Sequence, residues 1–310
     1  MDELTIAIAT SGLTRNLKQG RVNTGGLALN HIEIEPITQA MRRMVRGLEF
    51  DVCEMAITTY LCARAHGKPF TAIPVFVTRN FHHGAIFRTA ASEIREPKDL
   101  EGRTVGVNRG YTVTTGIWAR GILGAEYGVD LKSITWAATD DEHVAEFKAP
   151  DNVDYSNQGT SIVELLAGGN IEVGVGALPA GASGIEPLFP DPLAVGKAYY
   201  MKTGVYPINH TIVVKDAVLS DRPEIAHTLF QAFKASKDAY LARLDAKTAI
   251  EPADETAIAI AQIVGDPFPF GVEPNRKALD TVIDFALGQD VISERANVDD
   301  LFAVGTSDLV

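Results

Sequence analysis

The sequence predicts an α/β protein, and three observations support this. Strand-like and helix-like hydrophobic patterns alternate along almost all of the 310 residues, as in chains that build sheets covered by helices. The strand-like runs are short, apolar and β-branched. Ala72-Ile73-Pro74-Val75-Phe76-Val77 is the clearest, with the composition a central strand requires and one proline near its start. No repeat or low-complexity segment breaks the alternation. The length allows two ordinary domains or one large one.

Leu4–Thr10 reads as the first strand, and Gly12 to Gly26 as a polar loop carrying Arg15, Lys18 and Arg21. His31–Glu35 is a short strand, with Pro36 at a helix start. Ile37, Ala40, Met41, Met44, Val45 and Leu48 then recur at three-and-four spacing, one buried stripe with Arg42, Arg43 and Arg46 on the solvated side. Phe50-Asp51-Val52 is a strand, and Glu54 opens a helix through about His66, stopped by Gly67 and Pro69. A carboxylate there either complements the helix N-terminus or faces a ligand cleft.

Pro97 to Gly102 is polar punctuation before the strand Thr104–Val107. The helix from Tyr111 to about Tyr127 holds Thr112, Thr114 and Thr115 in its first turn. Free N–H groups and hydroxyls at such a start suit an anion, and ordinary threonine capping explains them equally well. Trp118 and Arg120 lie deeper in this helix, read as core packing and a surface ion pair. Ile134–Ala137 and Glu172–Gly176 are strands, Asp140–Gly159 is irregular and acidic, and Ala180 to Pro192 is a loop. Thr211–Val214 is the last strand. The chain is helical from Ser220 onward, with Ile225, Leu229, Phe233 and Leu241 along one inner face.

The formal net charge of −12 argues against nucleic-acid or anionic-membrane partners, though not against a small anionic ligand in a local cationic pocket. No run of about 18 apolar residues predicts a membrane span. The N-terminus, running from Met1-Asp2-Glu3 into an apolar strand, gives the expectation of a cytoplasmic protein. Cys53 and Cys62 are spaced for neither a metal site nor a local disulfide and read as buried thiols. There is no Gly-x-Gly-x-x-Gly after the first strand, no P-loop lysine and no Gly-x-Ser-x-Gly, so nucleotide and hydrolase motifs are missing. The seven histidines lack ligand spacing, so a non-metal site is favoured and a divalent ion, though open, is unmotivated.

Chemistry concentrates after the Ala72–Val77 strand, where Arg79, Asn80, Phe81, His82, His83 and Gly84 follow one another. Charge beside a core strand must be paired or bind something. If the chain stays extended, Arg79, Phe81 and His83 share one face, with Asn80 and His82 on the other.

Together with MRRMVRGLEFDVCEMAITTYL, PKDLEGRTVGV and TGVYPINH, this stretch resembles the 4,5-dihydroxyphthalate decarboxylases. That family looks like type II periplasmic solute-binding proteins without an export signal. The resemblance runs from about residue 4 to Leu301-Phe302. It implies an α/β, two-lobed periplasmic-binding-protein-like type II architecture with an inter-lobe cleft. Lobe I would be residues 1–98 plus 208–310, and lobe II residues 99–207. Glu54, Arg79, Phe81, His83, Tyr111, Thr114, Trp118, Arg120 and His210 match the family pattern. His82 and Gly84 depart from it, where the family has Arg and Ser, as does Ser11-Gly12, where it tends to have Tyr-Asp.

The implied activity is decarboxylation of a hydroxylated aromatic di- or monocarboxylic acid. For 4,5-dihydroxyphthalate the products would be protocatechuate and carbon dioxide. A non-catalytic binding protein for a small organic anion is the alternative on the same fold. In the catalytic reading His83, His210 and Glu54 are the acid/base candidates. Arg79 is the carboxylate clamp, and Phe81, His82, Tyr111, Thr114 and Arg120 contact substrate. No organic cofactor is called for. The expected partner is a small aromatic carboxylate, with self-association left open.

Overall fold

The computed structural model describes residues 3–177, 183–248 and 251–310. In chain order the strands and helices are β1 (Leu4–Ala7), α1 (Arg15–Lys18), β2 (Leu29–His31), α2 (Ile37–Gly47), β3 (Val52–Ala56), α3 (Ile57–Ala65) and β4 (Phe70–Arg79). Next come β5 (Ile86–Thr89), β6 (Thr104–Val107), α4 (Thr114–Tyr127), β7 (Thr135–Ala138), β8 (Val153–Asp154), α5 (Ile162–Ala167), β9 (Val173–Val175), β10 (Ile185–Pro187) and α6 (Pro192–Thr203). The last are β11 (Ile208–Lys215), α7 (Asp216–Asp221), α8 (Glu224–Asp245), α9 (Pro252–Val264) and α10 (Arg276–Gly288).

The described chain divides into two compact units. The first comprises Met1–Arg79, Ile208–Asp280 and Ala296–Val310. Its sheet has the order β2-β1-β3-β11-β4, with β1 parallel to β2 and β3, and β11 antiparallel to both β3 and β4. Ile225, Leu229 and Phe233 of α8 are fully buried with Ile6, Val75 and Ile212 in one cluster, while Leu241 packs at its margin. Each fully buried side chain of this kind contributes roughly 1.5–3 kcal/mol. On α2 the stripe narrows to Ala40, Met41, Met44 and Val45, with Ile37 and Leu48 half-buried.

The second unit comprises Asn80–Pro207 and Thr281–Arg295, around a sheet of order β10-β5-β9-β6-β7-β8. Its β6 is parallel to β7 and β9, and β5 is antiparallel to β9 and β10. The first boundary therefore falls after Arg79 rather than near Pro97, because β5 pairs with β9 and β10 and takes residues 80–98 into this unit. Residues 281–295 join it as well, since Gln289 and Phe285 pack on α4.

Several local expectations change. Glu54 lies within β3, and the helix begins three residues later at Ile57. The helix expected from Tyr111 starts at Thr114, leaving Tyr111 and Thr112 in the preceding turn. Within the stretch read as the loop Ala180 to Pro192, residues 185–187 form β10, and residues 180–182 lie outside the described chain. The chain also does not stay extended after β4. His82 has φ −103° and ψ 6°, and His83–Ala85 form a single 3₁₀ turn, so alternation cannot decide which way the two histidines point.

Candidate functional site

In the first sheet β2 lies on one side of β1 and β3 on the other. The chain leaves β1 in one direction and returns in the opposite one. The crevice beyond the carboxyl ends of β1 and β3 is the position where open α/β sheets hold ligands. Glu54 lies on β3 two residues before that end, 2% exposed. One carboxylate oxygen, Oε2, accepts the backbone N–H of Ala9, two residues beyond β1, at 2.9 Å. The other, Oε1, lies 2.6 Å from Nδ1 of His210. His210 arrives on β11, opposite Ala56 on β3 and Thr78 on β4.

A buried carboxylate needs partners to offset its lost hydration, and Glu54 has two. Its hold on Nδ1 fixes the ring's orientation and tautomer, leaving Nε2 as the atom for exchange. The His210 side chain is 18% exposed. Residues expected separately as a base and its alternative thus form one dyad. Arg79 ends β4 opposite Ile208 of the same β11. Its guanidinium donates to Asn275 Oδ1, and the Asn275 amide is itself fixed on the carbonyls of Pro269 and Gly271, 2.8 Å each. Glu54, His210 and Arg79 therefore stand on three neighbouring strands of one sheet.

The other candidates belong to the second unit, most of them as packing. Phe81 is buried against Tyr206, ring centroids 4.9 Å apart, and a side chain at Gly196 would run into its ring. His82 is buried and stacks on Trp118 at 6.2 Å. His83 is 1% exposed among Phe189 and Tyr199, with its Nδ1 unpartnered. Burial lowers its pKa to about 4. Walled by aromatic rings, His83 is held as the neutral imidazole.

Arg120 is fully buried rather than in a surface ion pair. Its Nε donates to Gln289 Oε1 at 2.7 Å, one Nη donates to the Tyr111 carbonyl at 2.6 Å, and its Cζ lies 3.9 Å from the centroid of the Tyr111 ring. Tyr111 is 3% exposed, its hydroxyl on the Gln289 carbonyl, and Thr114 is buried at the first position of α4.

The sequence does not mark Glu142. Its carboxylate accepts the N–H of Tyr111, the N–H of Thr112 at 3.0 Å, the Thr112 hydroxyl at 2.5 Å and the Tyr155 hydroxyl at 2.6 Å. Gly110 is required beside it, because a Cβ there would lie 2.8 Å from both oxygens. Burial, with Glu142 behind it, pushes the Tyr155 phenol above its ordinary range. The anion expected at the head of α4 is thus the chain's own. Glu142 lies in the irregular acidic stretch, where no spacing singles it out. Among the described residues no cluster of three His, Cys, Asp or Glu side chains could hold a metal ion, and no helix is long and apolar enough to cross a membrane. Both cysteines are buried and free.

The fold is that of the periplasmic binding proteins. The periplasmic aliphatic sulphonate binding protein SsuA of Escherichia coli superposes with a TM-score of 0.60 at 11% identity, covering 97% of this chain and 92% of that one. The desulfurization enzyme DSZB gives 0.55 at 15% identity over 99% and 98%. The chain belongs to the NMT1/THI5-like family, whose model matches residues 25–244. Within the curated proteins it is similar to a 4,5-dihydroxyphthalate decarboxylase of Comamonas testosteroni, 28% identical over 97% of this chain and 96% of the relative. A second 4,5-dihydroxyphthalate decarboxylase, from Pseudomonas putida, is 26% identical over 64% of this chain and 83% of its own.

Proposed function

We propose that this protein is a carboxy-lyase that removes one carboxylate from a hydroxylated aromatic acid. 4,5-Dihydroxyphthalate is the first substrate to try, with protocatechuate and carbon dioxide as products. Two named relatives support the reaction class. The observation that carries the mechanism is the Glu54–His210 hydrogen bond at the carboxyl edge of the first sheet. Protonated His210 delivers a proton from Nε2 to the ring carbon bearing the carboxylate. The ring becomes ketone-like, the bond to the carboxylate breaks, and its electrons return to the ring as carbon dioxide leaves. Glu54 stabilises the imidazolium, and the imidazole regains its proton from solvent or the phenol. Arg79 holds a carboxylate through its bidentate fork. This chemistry asks for a proton donor and a clamp, and we propose that neither an organic cofactor nor a metal ion takes part.

The test is to incubate the purified protein with hydroxylated phthalates and benzoates and measure carbon dioxide. His210→Asn should lower turnover by about 10²–10⁴-fold, the usual worth of a general acid or base. Ligand binding without carbon dioxide from any member of the panel would overturn the proposal. It would leave an anion-binding protein, the role its structural neighbour SsuA is named for.

A further inference from the structure

Three hydrogen bonds in series join a buried threonine to the imidazole of His210. Thr14 is 1% exposed, and its hydroxyl donates to the Ala9 carbonyl at 2.6 Å while accepting the Ser11 N–H at 2.9 Å. Ala9 is held at its other polar atom too, its N–H on Glu54 Oε2 at 2.9 Å. The second oxygen of Glu54 meets His210 Nδ1 at 2.6 Å. A carboxylate with one oxygen on a fixed N–H cannot turn about its own axis. Its plane then sets the direction of the imidazole.

The position of Thr14 makes this use of its hydroxyl unusual. It is the residue preceding α1, where a threonine commonly caps the helix, yet here its side chain makes no capping bond. The hydroxyl turns back to the strand end instead. The loop does not depend on Thr14 for its place. A side chain at Gly12 would come within 2.3 Å of the Tyr240 ring, so the loop already presses on α8. Leu17 N–H adds a bond to Ser236 Oγ at 3.2 Å, and Arg15 pairs with Glu251 at 2.7 Å.

We propose that Thr14 is a positioning residue for His210, acting through Ala9 and Glu54. The claim about activity rests on the decarboxylase reading, whereas the claim about the imidazole does not. Thr14→Val keeps shape and removes the hydroxyl, Thr14→Ala serves if valine does not fit, and Thr14→Ser restores the hydroxyl. The His210 ring is followed by NMR across pH, beside kcat and KM for the aromatic acid. Loss of the hydroxyl should move the His210 ring resonances and the pH profile of kcat, lowering kcat by about tenfold with KM unchanged, as for other outer-shell orienting groups. Thr14→Ser should return both towards the parent. Unmoved His210 resonances in a folded Val or Ala variant, or a serine variant that behaves like valine, would overturn the proposal. Should no substrate be turned over, the decarboxylase reading fails, and the resonances alone decide the role of Thr14.

Discussion

The carboxylate of Glu142 and the amide of Thr112 lie 3.0 Å apart, so the anion position before α4 is filled from within the chain. The turn that looks ready for a ligand is already satisfied, with the Thr112 and Tyr155 hydroxyls completing the shell.

Removing that anion should expose its worth. Glu142→Ala leaves two buried N–H donors and two hydroxyls without their acceptor, an expected loss of about 2–4 kcal/mol. Acetate or formate at high concentration should restore part of the unfolding midpoint, and acetamide should not. A midpoint equal to the parent's, or equal rescue by the neutral amide, would contradict this account.

His83 gives a pH dependence whose sign is fixed. Its folded pKa, about 4, lies below the value near 6.5 of an unfolded histidine. Between these values the unfolded chain binds a proton that the native protein refuses. Stability therefore falls as pH drops from about 6.5 to 4, by about 3 kcal/mol in total for this group, and levels off below. His83→Phe should remove that component. Urea midpoints at pH 7 and pH 4.5 in both proteins measure it, with turnover in the variant retained within a few-fold. A large loss of turnover in a well-folded His83→Phe variant would place this residue in the catalytic set.

Glu54 and His210 are legible in the sequence as separate candidates, but not as a pair. They stand 156 positions apart, and they meet because β11 inserts antiparallel between β3 and β4, an order no local pattern encodes. The strand Ala72–Val77 was legible from composition, since β-branched runs in a buried sheet leave few alternatives. Alternation fails to orient His82 and His83 for a local reason, a turn at His82 that ends the extended run. Arg120 was misplaced for a distant one. Beside Tyr111, it is held by Gln289, 169 positions away, and surface exposure is the default for a lone arginine.

Arg79→Lys keeps the charge and loses the fork. If Arg79 holds the ligand carboxylate, affinity should fall by roughly 1–3 kcal/mol, the range of charge-assisted hydrogen bonds. Calorimetry with a non-reacting aromatic carboxylate reads it directly. Unchanged affinity in a folded variant would reject this role for Arg79.

Exhaustive chelation should leave turnover intact. Loss of activity that returns with an added divalent ion would show that a metal takes part after all.

The place of β11 and of residues 281–295 in the chain carries a consequence for how the protein comes off the ribosome. The first sheet lacks its fourth strand, and with it His210, until the whole stretch from Asn80 to Pro207 has been made. The second unit is no better served, because Arg120 waits for Gln289, made 169 residues later. Each unit lacks a polar partner until a segment of the other has been made. Contacts of such long separation in sequence form slowly, so neither unit can close before part of the other has been made.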